Sequence, residues 1–210
     1  MFRGIGREEA ANVLTHGVGL LLSVMGVAVL LYRSLGHGSS TLTIGIGVYG
    51  LSLVSALAAS TLYHAATTPR AKHVLLWLDH SCVYALIAGT YTPFMVGILK
   101  GATGTAVLCT VWGLAVVGIV SKTLLKIRSD RLSIPFYLGM GWLSLLVVRP
   151  LASHLGAGGM LLLVAGGLAY SLGVVFFLVQ RAYAHAVWHG CVLAGTALHF
   201  TCVLLYLLPA

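Results

Sequence analysis

Only 8% of the 210 residues are charged and 59% are apolar, whereas charged residues make up about 25% of an average soluble domain. A chain this poor in charge cannot clothe a water-soluble globule, but it can face lipid. The net charge of +8 does not point to nucleic acid, because the basic residues sit singly in short polar segments rather than in an aromatic-laced patch.

In chain order, the apolar runs predict seven transmembrane helices, at 13–32, 41–66, 74–98, 103–120, 132–148, 159–179 and 184–208. Each is close to the roughly 20 residues needed to cross the hydrocarbon. In lipid the backbone must satisfy its own hydrogen bonds, which leaves helices or closed barrels, and the residue alternation of a barrel is absent. The fold class is therefore all-α, a polytopic integral membrane protein of seven helices. The connections are too short for a soluble domain, so residues 1–210 form a single membrane domain. The first apolar run follows Arg3, Arg7, Glu8 and Glu9 without a small-residue cleavage site, and reads as a permanent span rather than a cleaved signal.

Basic residues set the orientation. Arg3, Arg7, Arg70, Lys72, Lys122, Lys126, Arg128, Arg131 and Arg181 fall on one side, and Arg33, Lys100 and Arg149 on the other. The positive-inside rule then places the N-terminus in the cytoplasm and the C-terminus outside, in a multi-pass cell-membrane protein.

Two features invite over-reading. Cys82, Cys109, Cys191 and Cys202 all lie in apolar runs without paired spacing, and read as buried free thiols. The run Gly45-Ile-Gly47-Val-Tyr-Gly50 matches a dinucleotide fingerprint by letters. It lies inside a span with no preceding strand, so it reads as helix packing.

Polar residues inside spans carry the functional signal. Asp79 is the one acidic residue within a predicted span; an aspartate there costs roughly 2.5–3.5 kcal/mol on insertion scales, which marks it as a functional candidate. His64 ends the inward-running second span. Asp79 lies near the start of the outward-running third, and His185 and His189 near the start of the seventh. At 1.5 Å per residue all four share a depth roughly 5–10 Å inside the cytoplasmic boundary.

His185 and His189, at i and i+4, project from one helix face, the spacing by which helical histidine pairs grip zinc. The segment His185-Ala-Val-Trp-His189 lacks the glutamate of the protease motif. His64 supplies a third imidazole, and three histidines with an open position suit a catalytic zinc. Asp79 is placed to bond a water or the metal, and Ser60, one turn before His64, to contact substrate or support the shell. A hydrogen-bonded packing pair and a haem ligand set remain open for HxxxH taken alone; the shared depth favours zinc. His80 points about 100° away from Asp79, and His199 lies roughly 15 Å above His189, as a core histidine. His37, His73 and His154 fall in connections. Glu9, Asn12, Thr15 and His16, at one-turn intervals, either line the cytoplasmic mouth or cap and dock the first helix.

Glu9-x-x-Asn12-x-x-Thr15-His16, Ser60-x-x-Tyr63-His64, Leu78-Asp79-His80, Ala88-Gly-Thr-Tyr-Thr-Pro-Phe94, and His185-x-x-x-His189 followed by His199 occur in that order. The set closely resembles the hemolysin III family of bacterial membrane proteins, relatives of the progestin and adiponectin receptors and, more remotely, of the alkaline ceramidases. The resemblance covers nearly the whole chain. It implies a seven-helix bundle with a cytoplasmic N-terminus and zinc near the inner face. By motif, the metal ligands would be His64, His185 and His189, with Asp79 and Ser60 beside them. The expected activity is zinc-dependent hydrolysis of a lipid amide or ester, with membrane lipids as partners. Three other functions compete: a lipid sensor or regulator with structural zinc, a pore-forming cytolysin, and a haem electron carrier.

Overall fold

The computed structural model describes residues 6–124, 130–179 and 181–208. Of the basic residues counted above, Arg3, Lys126 and Arg128 lie outside the described residues, as does the side chain of Arg131. Among the described residues all regular structure is helical: α1 (Arg7–Gly36), α2 (Ser40–Ala65), α3 (Pro69–Gly97), α4 (Ala102–Thr123), α5 (Asp130–Trp142), a 3₁₀ segment (Leu143–Val147), α6 (Val148–Leu178), α7 (Ala184–Cys202) and a closing π turn (Val203–Leu207). Among the described residues six helical stretches are long and apolar enough to cross a membrane; one of them, the 47 residues Leu132–Leu178, takes in most of α5, the 3₁₀ segment and α6.

Helix starts follow local chemistry. The Ser39 side chain accepts from the Leu42 amide at the start of α2. Thr68 does the same for Ala71 before α3, with Pro69 in the first turn, each satisfying a donor that the helix leaves orphaned. Gly101, at φ +96°, makes the turn into α4, a conformation that side chains with a Cβ resist.

Two expected connections are in part helical. His73 falls in the first turns of α3, exposed, because the Thr68 cap and Pro69 start the helix five residues before the apolar run. Residues 149–158 continue α6 except at Gly156, whose φ of +58° interrupts it. His154 there is exposed, with Nδ1 2.8 Å from the Pro150 carbonyl. Backbone hydrogen bonds hold a helix past the end of its apolar stretch, so composition alone underestimates its length.

α1 shows how the bundle is oriented toward its solvent. Leu14, Val18, Leu21, Leu22, Met25 and Val29 are exposed, while Asn12, His16, Ser23 and Ser34 are buried. Large apolar residues outside and polar residues inside invert the pattern of a soluble surface helix and fit a lipid-facing one. α1 packs on both α2 and α7, and α2 also lies against α3. Small residues permit close approach: Gly89 of α3 sits on Ser52 of α2, Gly45 faces Pro93 and Val96, and Gly50 faces Val27. Gly45 and Gly50 of the fingerprint-like run are thus packing residues.

Beyond α4 the chain is less regular. α5 gives way to the 3₁₀ segment after Trp142, and the Tyr91 hydroxyl lies 2.9 Å from the Met140 carbonyl and 2.7 Å from that of Gly141, and accepts from the Ser144 amide at 2.9 Å. The chain then folds back past Gly156, so that the Trp142 indole donates to Ser171 at 3.1 Å and stacks beside Gly167. Cys82 and Cys202 are buried free thiols as expected, Cys191 is half-buried, and Cys109 is exposed. The expectation of burial fails for Cys109 because its face of α4 points outward, where the apolar surroundings are lipid.

Candidate metal centre

Two helices deliver the cluster and a third lies against it. His64 is in the last turn of α2, one helical face of α7 carries His185 and His189, and α1 crosses both. One ring nitrogen from each of His64, His185 and His189 lies within 4.8 Å of the others, close enough for a single ion. Their ring centroids are 4.7–5.1 Å apart. His64 and His189 are 4% and 1% exposed.

His64 Nε2 is fully enclosed and lacks a hydrogen-bond partner. A buried acceptor left bare costs about 1–3 kcal/mol, and a divalent ion is one group that would satisfy it. Three imidazoles form a donor set suited to zinc. The cluster can therefore hold a metal ion.

Asp79 and Ser60, the other residues singled out by sequence, lie beside the cluster rather than in it. Ser60, 3% exposed, lies beside the Asp79 carboxylate. The same hydroxyl is 2.7 Å from His16 Nδ1. The His16 ring stacks on His189 at 3.5 Å with an interplanar angle of 11°. A chain of contacts thus runs from Asp79 through Ser60 and His16 to one of the three clustered rings. His199 is elsewhere, as expected, with Nε2 3.1 Å from the Leu163 carbonyl and its ring against Tyr170.

The stripe Glu9, Asn12, Thr15 and His16 faces the cluster. His64 Nδ1 lies 2.5 Å from Glu9 Oε2 and His189 Nδ1 3.1 Å from Thr15 Oγ1. The second Glu9 oxygen pairs with the Lys72 ammonium, which also sits over the Tyr63 ring. One-turn spacing of polar residues on an otherwise apolar helix was the available signal for the first four. Lys72 gave none beyond its place among the basic residues of one side.

The family model of haemolysin-III related proteins matches residues 6–200. The chain belongs to this family. It is 41% identical over 204 residues to Hemolysin-3 of Bacillus cereus, covering 97% of this chain and 93% of that protein. It is 42% identical over 201 residues to the Hemolysin-3 homolog of Bacillus subtilis (strain 168), covering 95% and 94%. The human monocyte to macrophage differentiation factor is 30% identical over 207 residues, covering 95% of this chain and 84% of that protein. No solved structure matches the chain significantly. As a haemolysin-III related protein with six apolar helices of spanning length, it is a multi-pass protein of the cell membrane.

Proposed function

We propose that this haemolysin-III related protein is a seven-pass membrane hydrolase that holds zinc at His64, His185 and His189 near the cytoplasmic face and cleaves a lipid amide or ester. The observation that carries the proposal is the convergence of three imidazoles from α2 and α7, with the Ser60–Asp79 pair alongside. Support for the seventh pass comes from Leu132–Leu178. As one helix, 47 residues would measure about 70 Å, more than twice the roughly 30 Å of hydrocarbon. The break at Gly156 and the return of Trp142 onto Ser171 support two passes there. Arg7, Arg70, Lys72, Lys122 and Arg181 then share the side of the N-terminus, which the positive-inside rule makes cytoplasmic.

Zinc bound by three histidines would supply Lewis acidity and an activated water. The protein's own residues do the rest. Asp79 takes the proton from the attacking water and returns it to the leaving nitrogen or oxygen as the C–N or C–O bond breaks. Ser60 donates to the oxygen on which negative charge develops. Membrane lipids, with headgroup linkages at this depth, are the partners the position suits.

The deep burial of His64 and His189 favours one other reading, a membrane-lipid sensor in which zinc is structural, since structural sites are closed and catalytic ones keep an open position. A turnover screen separates the two. Zinc-loaded protein in lipid nanodiscs is offered ceramides, N-acyl amines and glycerolipids, beside Asp79→Asn. Hydrolysis of one class, lowered at least 100-fold in the variant with zinc retained, supports the hydrolase. Absence of turnover from fully loaded protein on all of them supports the sensor.

A further inference from the structure

α1 contributes no residue to the three-histidine cluster, yet its side chains reach Nδ1 of two of the three rings. We propose that Glu9 and Thr15 are positioning residues that fix the tautomers of His64 and His189, so that both present a bare Nε2 to the metal. The proposal rests on the metal-binding reading above and goes beyond it by assigning a role to a helix that supplies no ligand.

The argument is one of donors and acceptors. A carboxylate only accepts, so at 2.5 Å from Glu9 Oε2 the His64 Nδ1 must carry the proton. The Asn12 amide nitrogen is 3.4 Å from the same Nδ1. Two donors cannot bond, and the amide points instead to Glu9 Oε2 at 3.5 Å. With the proton on Nδ1, the lone pair of neutral His64 lies on Nε2, the atom found buried and unpartnered.

Thr15 reaches the same result by another route. Its hydroxyl proton is directed at the carbonyls of its own helix, Ala11 at 3.0 Å and Asn12 at 2.9 Å. The oxygen that remains can only accept, so His189 Nδ1, 3.1 Å away, is the donor. Its lone pair is likewise left on Nε2. Glu9, Asn12 and Thr15 are three residues apart and lie along one stripe of α1, and Lys72 pins the far oxygen of Glu9. A metal-bound histidine whose other nitrogen donates to a carboxylate or hydroxyl is held in tautomer and orientation, and loss of such a partner typically weakens metal binding by 10–100-fold.

Two measurements on the full-length protein in detergent test the proposal. The first is the zinc dissociation constant by competition with a chromogenic chelator. Thr15→Val, which removes the acceptor at constant shape, is expected to weaken binding by 10–100-fold, and Thr15→Ser to restore it to within about threefold. Glu9→Met is expected to weaken binding by a similar factor, and Glu9→Gln, which keeps a carbonyl acceptor, by much less. Unchanged affinity in both Thr15→Val and Glu9→Met would overturn the proposal. The second is long-range ¹H–¹⁵N correlation on metal-free wild type with ¹⁵N-labelled histidine, which needs no variant to fold. His64 and His189 are expected in the Nδ1–H form; an Nε2–H form of either ring overturns the proposal. Wild type that binds no zinc would remove the metal-dependent function. The tautomer spectrum would then still decide the assignment of Glu9 and Thr15.

Discussion

At the histidine end of the bundle, α1, α2 and α7 meet through imidazoles, a hydroxyl and a carboxylate. In the opposite half, α3, α5, α6 and α7 surround an apolar cavity of about 90 Å³ lined by Tyr91, Phe94, Trp142, Met160 and His199 among others. Both regions hold buried polar groups, and the difference lies in how completely those groups are satisfied. In the second region Tyr91 bridges three backbone groups, Trp142 bonds Ser171, and Tyr170 bonds Thr196 at 2.7 Å. The unpartnered atoms there are the Tyr49 hydroxyl and His199 Nδ1. At the histidine end the bare atoms are Nε2 of His64, Nε2 of His16 and Oδ1 of Asn12, and both rings adjoin His189. In one region the bare atoms are isolated, and in the other they lie together beside three clustered imidazoles.

Substitutions can break or sharpen that contrast. The largest effect is expected at the histidine end: His189→Ala should reduce zinc content from about one ion per chain to background, read by mass spectrometry of purified protein. Next comes Gly89→Ala, where the added methyl would overlap the Ser52 side chain. Overpacking of this kind costs about 1–3 kcal/mol, visible in detergent-based denaturant unfolding, with zinc content preserved in the fraction that folds. Tyr91→Phe leaves the Met140 and Gly141 carbonyls and the Ser144 amide without their hydroxyl partner, and is expected to cost roughly 2 kcal/mol without changing zinc affinity. His199→Leu should be mildest, about 1 kcal/mol or less, again with zinc retained. Loss of zinc in Tyr91→Phe or His199→Leu would dissolve the distinction between the two regions.

Much of the histidine end could be read from sequence because alternating span direction converts residue number into depth. His64, Asp79, His185 and His189 fall at one level wherever their helices sit around the bundle, and the i, i+4 pair also shares a face. Rotation and neighbour choice are not written so plainly. That α1 lies against α7 follows from ring closure between the first and last helices, so sequence spacing could not say whether Glu9, Asn12, Thr15 and His16 faced the histidines or solvent. Spacing places the Ser60 hydroxyl beside the site, but its link to His16 depends on the same closure. Residues 132–158 were least legible. Arg149, Ser153 and His154 mark a connection there, but the change after Trp142 and the place of the break at Gly156 depend on one tyrosine from α3 and one glycine in the left-handed region, neither of which alters the hydropathy.

The most direct test of the central claim is zinc K-edge X-ray absorption, with metal quantification, on wild type and on His64→Ala, His185→Ala and His189→Ala. The account predicts about one zinc per wild-type chain with a first shell of light atoms at about 2.0–2.1 Å, fitted by three imidazoles, and loss of stoichiometric zinc in each variant. A wild-type protein without stoichiometric zinc, or zinc retained undiminished in all three variants, would contradict it.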